Sequence, residues 1–186
     1  KTYDLVRRMP SHKPANYVFR NDHDLGFTNV SAGWGLNTPA ISNAAAYADL
    51  DNDGDLDLVV CNKNEPAMVY RNNENELRKN HFIKIRLTGS GLNTKALGTK
   101  AILTTSDGMN QYQEMYTVRG YQSSMPPELF FGFDKSLSIR QLLLVWPDGK
   151  QTLIKDPAPD QTRELKQSDG VMPGTNNVAS KAAGRI

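Results

Sequence analysis

From residue 17 to residue 167 the apolar positions recur every second residue or in short runs, which predicts β-strands rather than helices. Residues 17–20 form a short predicted strand that runs into the polar turn Asn21-Asp22-His23-Asp24-Leu25-Gly26. Residues 44–49 and 56–63 are strands of small and β-branched residues on either side of an acidic loop, and 67–71 is a third. His81–Thr88 alternates cleanly, with Ile83, Ile85 and Leu87 on one face and Lys84, Arg86 and Thr88 on the other. Residues 100–105 and 111–119 flank Ser106-Asp107-Gly108-Met109-Asn110, a hairpin signal. Leu129, Phe131 and Phe133 alternate again. Residues 142–146 are apolar on both faces, as a central buried strand should be, and Pro147-Asp148-Gly149 turns the chain into 152–154. No amphipathic helix longer than two turns is predicted.

Composition narrows the class. Of 186 residues, 38% are hydrophobic and 23% charged, which is enough apolar content to bury a core. The longest apolar runs are five residues, far short of the ~20 that a membrane helix needs, so no membrane span is expected. A single cysteine, Cys61, excludes an intrachain disulfide framework and a cysteine-based zinc site. The net charge of +2 is unevenly spread: residues 1–75 carry 7 basic and 10 acidic groups, residues 76–186 carry 15 and 10. The two stretches thus differ in character. The basic groups of the second are scattered singly, so no nucleic-acid partner is expected.

The strongest signal is Asp49-Leu50-Asp51-Asn52-Asp53-Gly54-Asp55-Leu56-Asp57, five carboxylates in nine residues. Unpaired, they would repel one another; a hard cation with oxygen ligands relieves this. Asp49, Asp51 and Asp53 stand at positions 1, 3 and 5 of such a loop, and Gly54 at 6 permits a sharp turn. Asp55 would offer its carbonyl, and Asp57 would close the site. The ligand count favours Ca²⁺ over octahedral Mg²⁺. An EF-hand would need a glutamate at position 12, where this chain has Val60, and helical flanks, where it has strands. A dockerin shares the spacing but continues into a helix. A solvated acidic turn without metal is the other alternative.

In these residues the stretch 43–60 resembles an FG-GAP/VCBS repeat, the calcium-loop blade of integrin-α-like β-propellers. The resemblance implies Ca²⁺ held by Asp49, Asp51, Asp53 and Asp57, with the Asp55 carbonyl. Tyr17-Val18-Phe19-Arg20-Asn21-Asp22 is echoed by Met68-Val69-Tyr70-Arg71-Asn72-Asn73, an interval that suits one blade with an insertion. Downstream, Phe82–Leu87, Gly98-Thr99-Lys100-Ala101, Gly120-Tyr121-Gln122-Ser123-Ser124, Leu129-Phe130-Phe131-Gly132 and Val145-Trp146-Pro147-Asp148-Gly149 follow the order of the ASPIC/UnbV domain. That domain follows FG-GAP repeats in proteins similar to cartilage acidic protein and in large bacterial surface proteins. The chain departs from its usual pattern at Phe131-Gly132-Phe133-Asp134 and at residues 93–99.

The expected fold is therefore all-β: partial β-propeller blade or blades with a calcium loop, followed by a small β-sandwich or barrel. The expected divisions are a linker at 1–16, the repeat region at 17–78, the β domain at 79–168 and a mobile tail at 169–186. Residues 17–72 cannot close a propeller ring, so the remaining blades are expected in a longer chain. The first three residues, Lys1-Thr2-Tyr3, are read as those of a mature product or fragment.

His12, His23 and His81 lack metal-ligand spacing, and no nucleophile with a base is recognisable. Cys61 reads as a buried small hydrophobe, Trp146 and Phe130, Phe131 and Phe133 as core, and Tyr121 as part of a turn with ligand contact as the alternative. Function is expected to be that of a calcium-binding, non-catalytic recognition or adhesion module of a secreted or surface protein, with an extracellular protein or glycan as partner. The alternatives are an accessory region of an extracytoplasmic glycan-processing enzyme and, last, a nucleic-acid binder.

Overall fold

The computed structural model describes residues 4–5, 8–9, 12–22 and 24–173. It is all-β, and of the predicted tail residues 174–186 lie outside the described residues. Strands β1 (Phe19–Asn21) and β2 (Phe27–Asn29) form a hairpin. Strands β3 (Ser42–Ala48), β4 (Asp57–Asn62) and β5 (Met68–Tyr70) form an antiparallel meander, the partial blade. The echoed segments become β1 and β5, each an outer strand of its sheet. A single turn of helix, α1 (Glu74–Leu77), leads to the second unit.

The second unit holds β6 (His81–Thr88), β7 (Lys100–Thr105), β8 (Asn110–Glu114), β9 (Val118–Gly120), β10 (Ser123–Ser124), β11 (Glu128–Phe133), β12 (Ile139–Val145), β13 (Gln151–Lys155) and β14 (Gln161–Lys166). Two sheets face each other, ordered β11-β6-β14 and β13-β12-β7-β8. The first is mixed: β11 runs antiparallel to β6, and β14 runs parallel to it. Inward residues follow the strand period of two. Ile83, Ile85 and Leu87 of β6 and Leu129, Phe131 and Phe133 of β11 pack on Leu103 of β7 and Leu142 and Leu144 of β12. Ile139 and Leu142 both face inward although they are three positions apart, an odd offset that a regular strand would send to opposite faces. A bulge between Ile139 and Gln141 resets the phase. Trp146 closes the core, 2% exposed, with its indole N–H donating to Thr152 Oγ1 at 2.9 Å.

The unit is a sandwich, and its sheets do not close into a barrel by backbone pairing. Along one edge side chains join them. The Gln113 amide of β8 donates to Phe130 O at 2.5 Å and accepts from Phe130 N at 3.2 Å, and Gln111 donates to Gly132 O at 2.9 Å. The β9–β10 hairpin lies against β3 of the blade. Pairing continues past 14 strands: Val171 exchanges backbone hydrogen bonds with Gln151 at 2.8 and 3.0 Å.

Cys61 corrects one expectation, for it is exposed rather than buried. Val60 takes the inward face of β4, and period-two alternation sends its neighbour outward.

Candidate metal centre

The acidic loop joins β3 to β4 where Ala48 pairs with Asp57. Asn52 (φ 59°) and Gly54 (φ 96°) take left-handed backbone angles, which turn the chain back within the loop. Gly54 is required a second time, because a Cβ there would overlap the Phe82 ring of β6. Phe82 in turn stacks on Phe130 of β11, with ring centroids 5.6 Å apart and planes 2° from parallel. The loop thus rests on the outer face of the sandwich.

The turn brings Asp49, Asp51 and Asp53 together: one carboxylate oxygen from each lies within 4.8 Å of the others. At that spacing, and with an effective dielectric of about 20, each like-charged pair repels by roughly 3–4 kcal/mol. Two cations from outside the loop face this charge. Lys84 Nζ lies 2.7 Å from Asp49 Oδ2, both side chains being almost completely buried. Arg71, half exposed, places Nε 3.0 Å from Asp51 Oδ2, and Nη2 3.4 Å from Asp53 Oδ2 and 2.7 Å from Glu76. An exposed pair returns at most about 1 kcal/mol, so the loop keeps an excess of negative charge.

Asp55 and Asp57 are placed differently from the first three. Asp57 accepts backbone N–H bonds from Leu50 at 3.0 Å and Asn72 at 2.8 Å, fastening both ends of the loop to the segment after β5. Asp55 Oδ2 accepts from Asn75 N at 3.0 Å, and the Asn75 amide donates to the Asp53 carbonyl. Burial pushes the Asp55 carboxyl above its ordinary value; the Asp53, Asp57 and Asp51 charges add to this and the Asn75 N–H opposes it. Two buried oxygens, Asp49 Oδ1 and Asp55 Oδ1, have no hydrogen-bond partner. Buried carboxylate oxygens left unpaired are costly. Clustered hard oxygen donors, excess negative charge and orphaned buried oxygens all fit a divalent cation of the calcium type.

Lys84, Arg71, Asn72 and Asn75 escaped the sequence reading. Arg71 and Asn72 carried a signal in the echoed Arg-Asn pair. Lys84 carried none, since alternation assigns it to the outward face.

A cleft of about 420 Å³ lies between the two units, lined in part by Tyr47 of β3 and by Tyr112, Glu114, Tyr116 and Arg119. Both phenols donate to Glu114, Tyr116 at 2.5 Å and Tyr112 at 3.1 Å, and these bonds hold the Glu114 carboxyl below its ordinary value. The Arg119 guanidinium sits 5.9 Å from the Tyr116 ring centroid. Tyr121 is exposed in the turn between β9 and β10. His81 Nδ1 lies 2.7 Å from Asp160 Oδ2, and Asp160 Oδ1 also accepts from Phe82 N at 3.1 Å, so this pair ties the start of β6 to the approach to β14.

Residues 4–60 match the family model described as an FG-GAP-like repeat, and residues 89–171 match the one described as ASPIC and UnbV. The two occur in the order that the sequence resemblance implied. No curated protein matches the chain.

Proposed function

From a chain that carries an FG-GAP-like repeat followed by an ASPIC and UnbV domain, we propose a calcium-stabilised, non-catalytic recognition or adhesion module of a larger extracytoplasmic protein. The observation that carries it is the cluster of Asp49, Asp51 and Asp53 with the orphaned buried Oδ1 of Asp49. These three residues would hold Ca²⁺, with the Asp55 carbonyl and Asp57 completing the set that the spacing gives. The ion's contribution is charge neutralisation, which fixes the turn between β3 and β4. Both matched families support an extracellular-type setting, where calcium modules work at about 10⁻⁴–10⁻³ M. No helix among the described residues is long and apolar enough to cross a membrane.

Recognition by the cleft between the units is supported by its exposed tyrosine faces beside Glu114 and Arg119. Aromatic faces with a polar tip suit saccharide rings or protein side chains. Calorimetry on the chain tests the metal: Ca²⁺ binds, Mg²⁺ binds more weakly, and Asp53→Ala removes both. Absence of Ca²⁺ binding, or equal affinity for Mg²⁺, overturns the metal assignment. A glycan and protein array probed with and without calcium tests recognition, and substrate turnover by the chain would refute the non-catalytic reading.

A further inference from the structure

The buried contact between the two units has a directional consequence. Lys84 comes from the middle of β6, 35 residues after Asp49, and its ammonium reaches Asp49 Oδ2 at 2.7 Å. The side chains are 6% and 2% exposed, so this pair is shielded from water. Glu128 is the next carboxylate to Lys84, its Oε1 4.0 Å away, and its Oε2 is paired with Arg86 Nε at 3.3 Å. Lys84 is therefore committed to Asp49. That bond fixes the carboxylate through Oδ2 and leaves Oδ1, buried and without a partner, as its free ligand atom. Beside it the Phe82 ring occupies the space that the missing Gly54 side chain leaves, so the loop is gripped at two points by one strand.

We propose that the sandwich supplies the outer half of the metal site: Lys84 is a positioning residue that orients Asp49 for the cation. Metal binding and the docking of the two units then share one equilibrium. This rests on the calcium reading above. Partners of a ligating group are worth about 10–100-fold in metal affinity when they orient it. Simple electrostatics predicts the opposite sign, because deleting a positive charge beside a cation site strengthens cation binding. Arg71 is the internal contrast: it sits on Asp51 and Asp53 from the exposed side and competes for their oxygens.

The experiment is calcium calorimetry on the full chain, for the wild type, Lys84→Met and Arg71→Met, with circular dichroism verifying the fold. Lys84→Met should weaken calcium binding at least tenfold, while Arg71→Met leaves it equal or tighter. Lys84→Met binding calcium as tightly as the wild type, or more tightly, overturns the proposal while leaving the calcium site standing. No binding by the wild type defeats the calcium reading itself. If Lys84→Met does not fold, amine acetylation of the wild type read by mass spectrometry decides. Calcium should slow modification of Lys84 and leave Lys79 and Lys135 unchanged; equal rates at Lys84 with and without calcium overturn the proposal.

Discussion

Between the sheets β11-β6-β14 and β13-β12-β7-β8, 14 apolar side chains are buried together, including Phe131, Leu144 and Trp146. In the first unit, among the described residues, the buried apolar side chains are Ala40 and Val60, while Tyr17, Phe19, Phe27, Trp34 and Val69 are exposed. The sandwich can draw its stability from apolar area removed from water, which needs no bound ion. The described residues of the partial blade bury far fewer apolar side chains. Its loop is ordered by carboxylates that accept backbone N–H groups, by Arg71, and by a buried ammonium borrowed from the sandwich. Where few apolar side chains are buried, charged contacts of this kind carry more of the local order.

Core truncation gives the largest effect. Phe131→Ala should destabilise the protein by about 3–5 kcal/mol in urea unfolding. Val69→Ala, on the exposed face of β5, should stay within about 0.5 kcal/mol. Equal costs for the two would erase the distinction between the units.

Calcium comes next. At a hundredfold excess over Kd it should add about 2.7 kcal/mol, read as a rise in Tm that a chelator reverses. Asp53→Ala should lower Tm and abolish the chelator effect; a variant that stays fully chelator-sensitive would move the ion away from this loop.

Gly54→Ala should cost about 1–3 kcal/mol, from its left-handed backbone and its overlap with Phe82. Phe82→Ala in the same chain should remove part of that cost, leaving the backbone part. Strict additivity in this double-mutant cycle would mean that the two residues do not meet.

The smallest effect sharpens the comparison through pH. The Thr105 hydroxyl donates to Asp107 and the Ser136 hydroxyl to Asp134, holding both carboxyls below their ordinary values. Groups depressed by folding contribute stability above the unfolded pKa, and that contribution is lost as pH falls through the folded pKa. Acidification below about pH 4 should therefore lower Tm in the metal-free protein, and lower it further in the calcium-loaded protein, because protonation of the aspartate ligands also releases the ion. Thr105→Val should flatten part of that acid limb. An acid limb that Thr105→Val leaves unchanged would show that the Thr105 hydroxyl bond to Asp107 contributes nothing to it.

Much of this was legible in the chain because it is local. Period-two alternation placed Ile83, Ile85, Leu87, Leu129, Phe131 and Phe133 on one core, and the double-faced run at 142–146 became β12, an interior strand. The aspartate spacing located the loop, since a turn between adjacent strands needs only neighbouring residues. What lay on the outward faces was not legible. Alternation sends Lys84 away from the sandwich core and is silent on what covers it there, so a lysine that reads as solvated is among the most buried charges in the protein. Cys61 shows the converse, a small apolar residue that reads as buried and stands exposed near the end of its strand. Asp57, the last carboxylate of the motif, accepts the Asn72 N–H, which reaches it only once β5 has folded back beside β4. Strand identity and the inward face follow from side chains a few residues apart. The fate of the outward face depends on which surface a distant segment brings to it, and that is decided only when the two units dock.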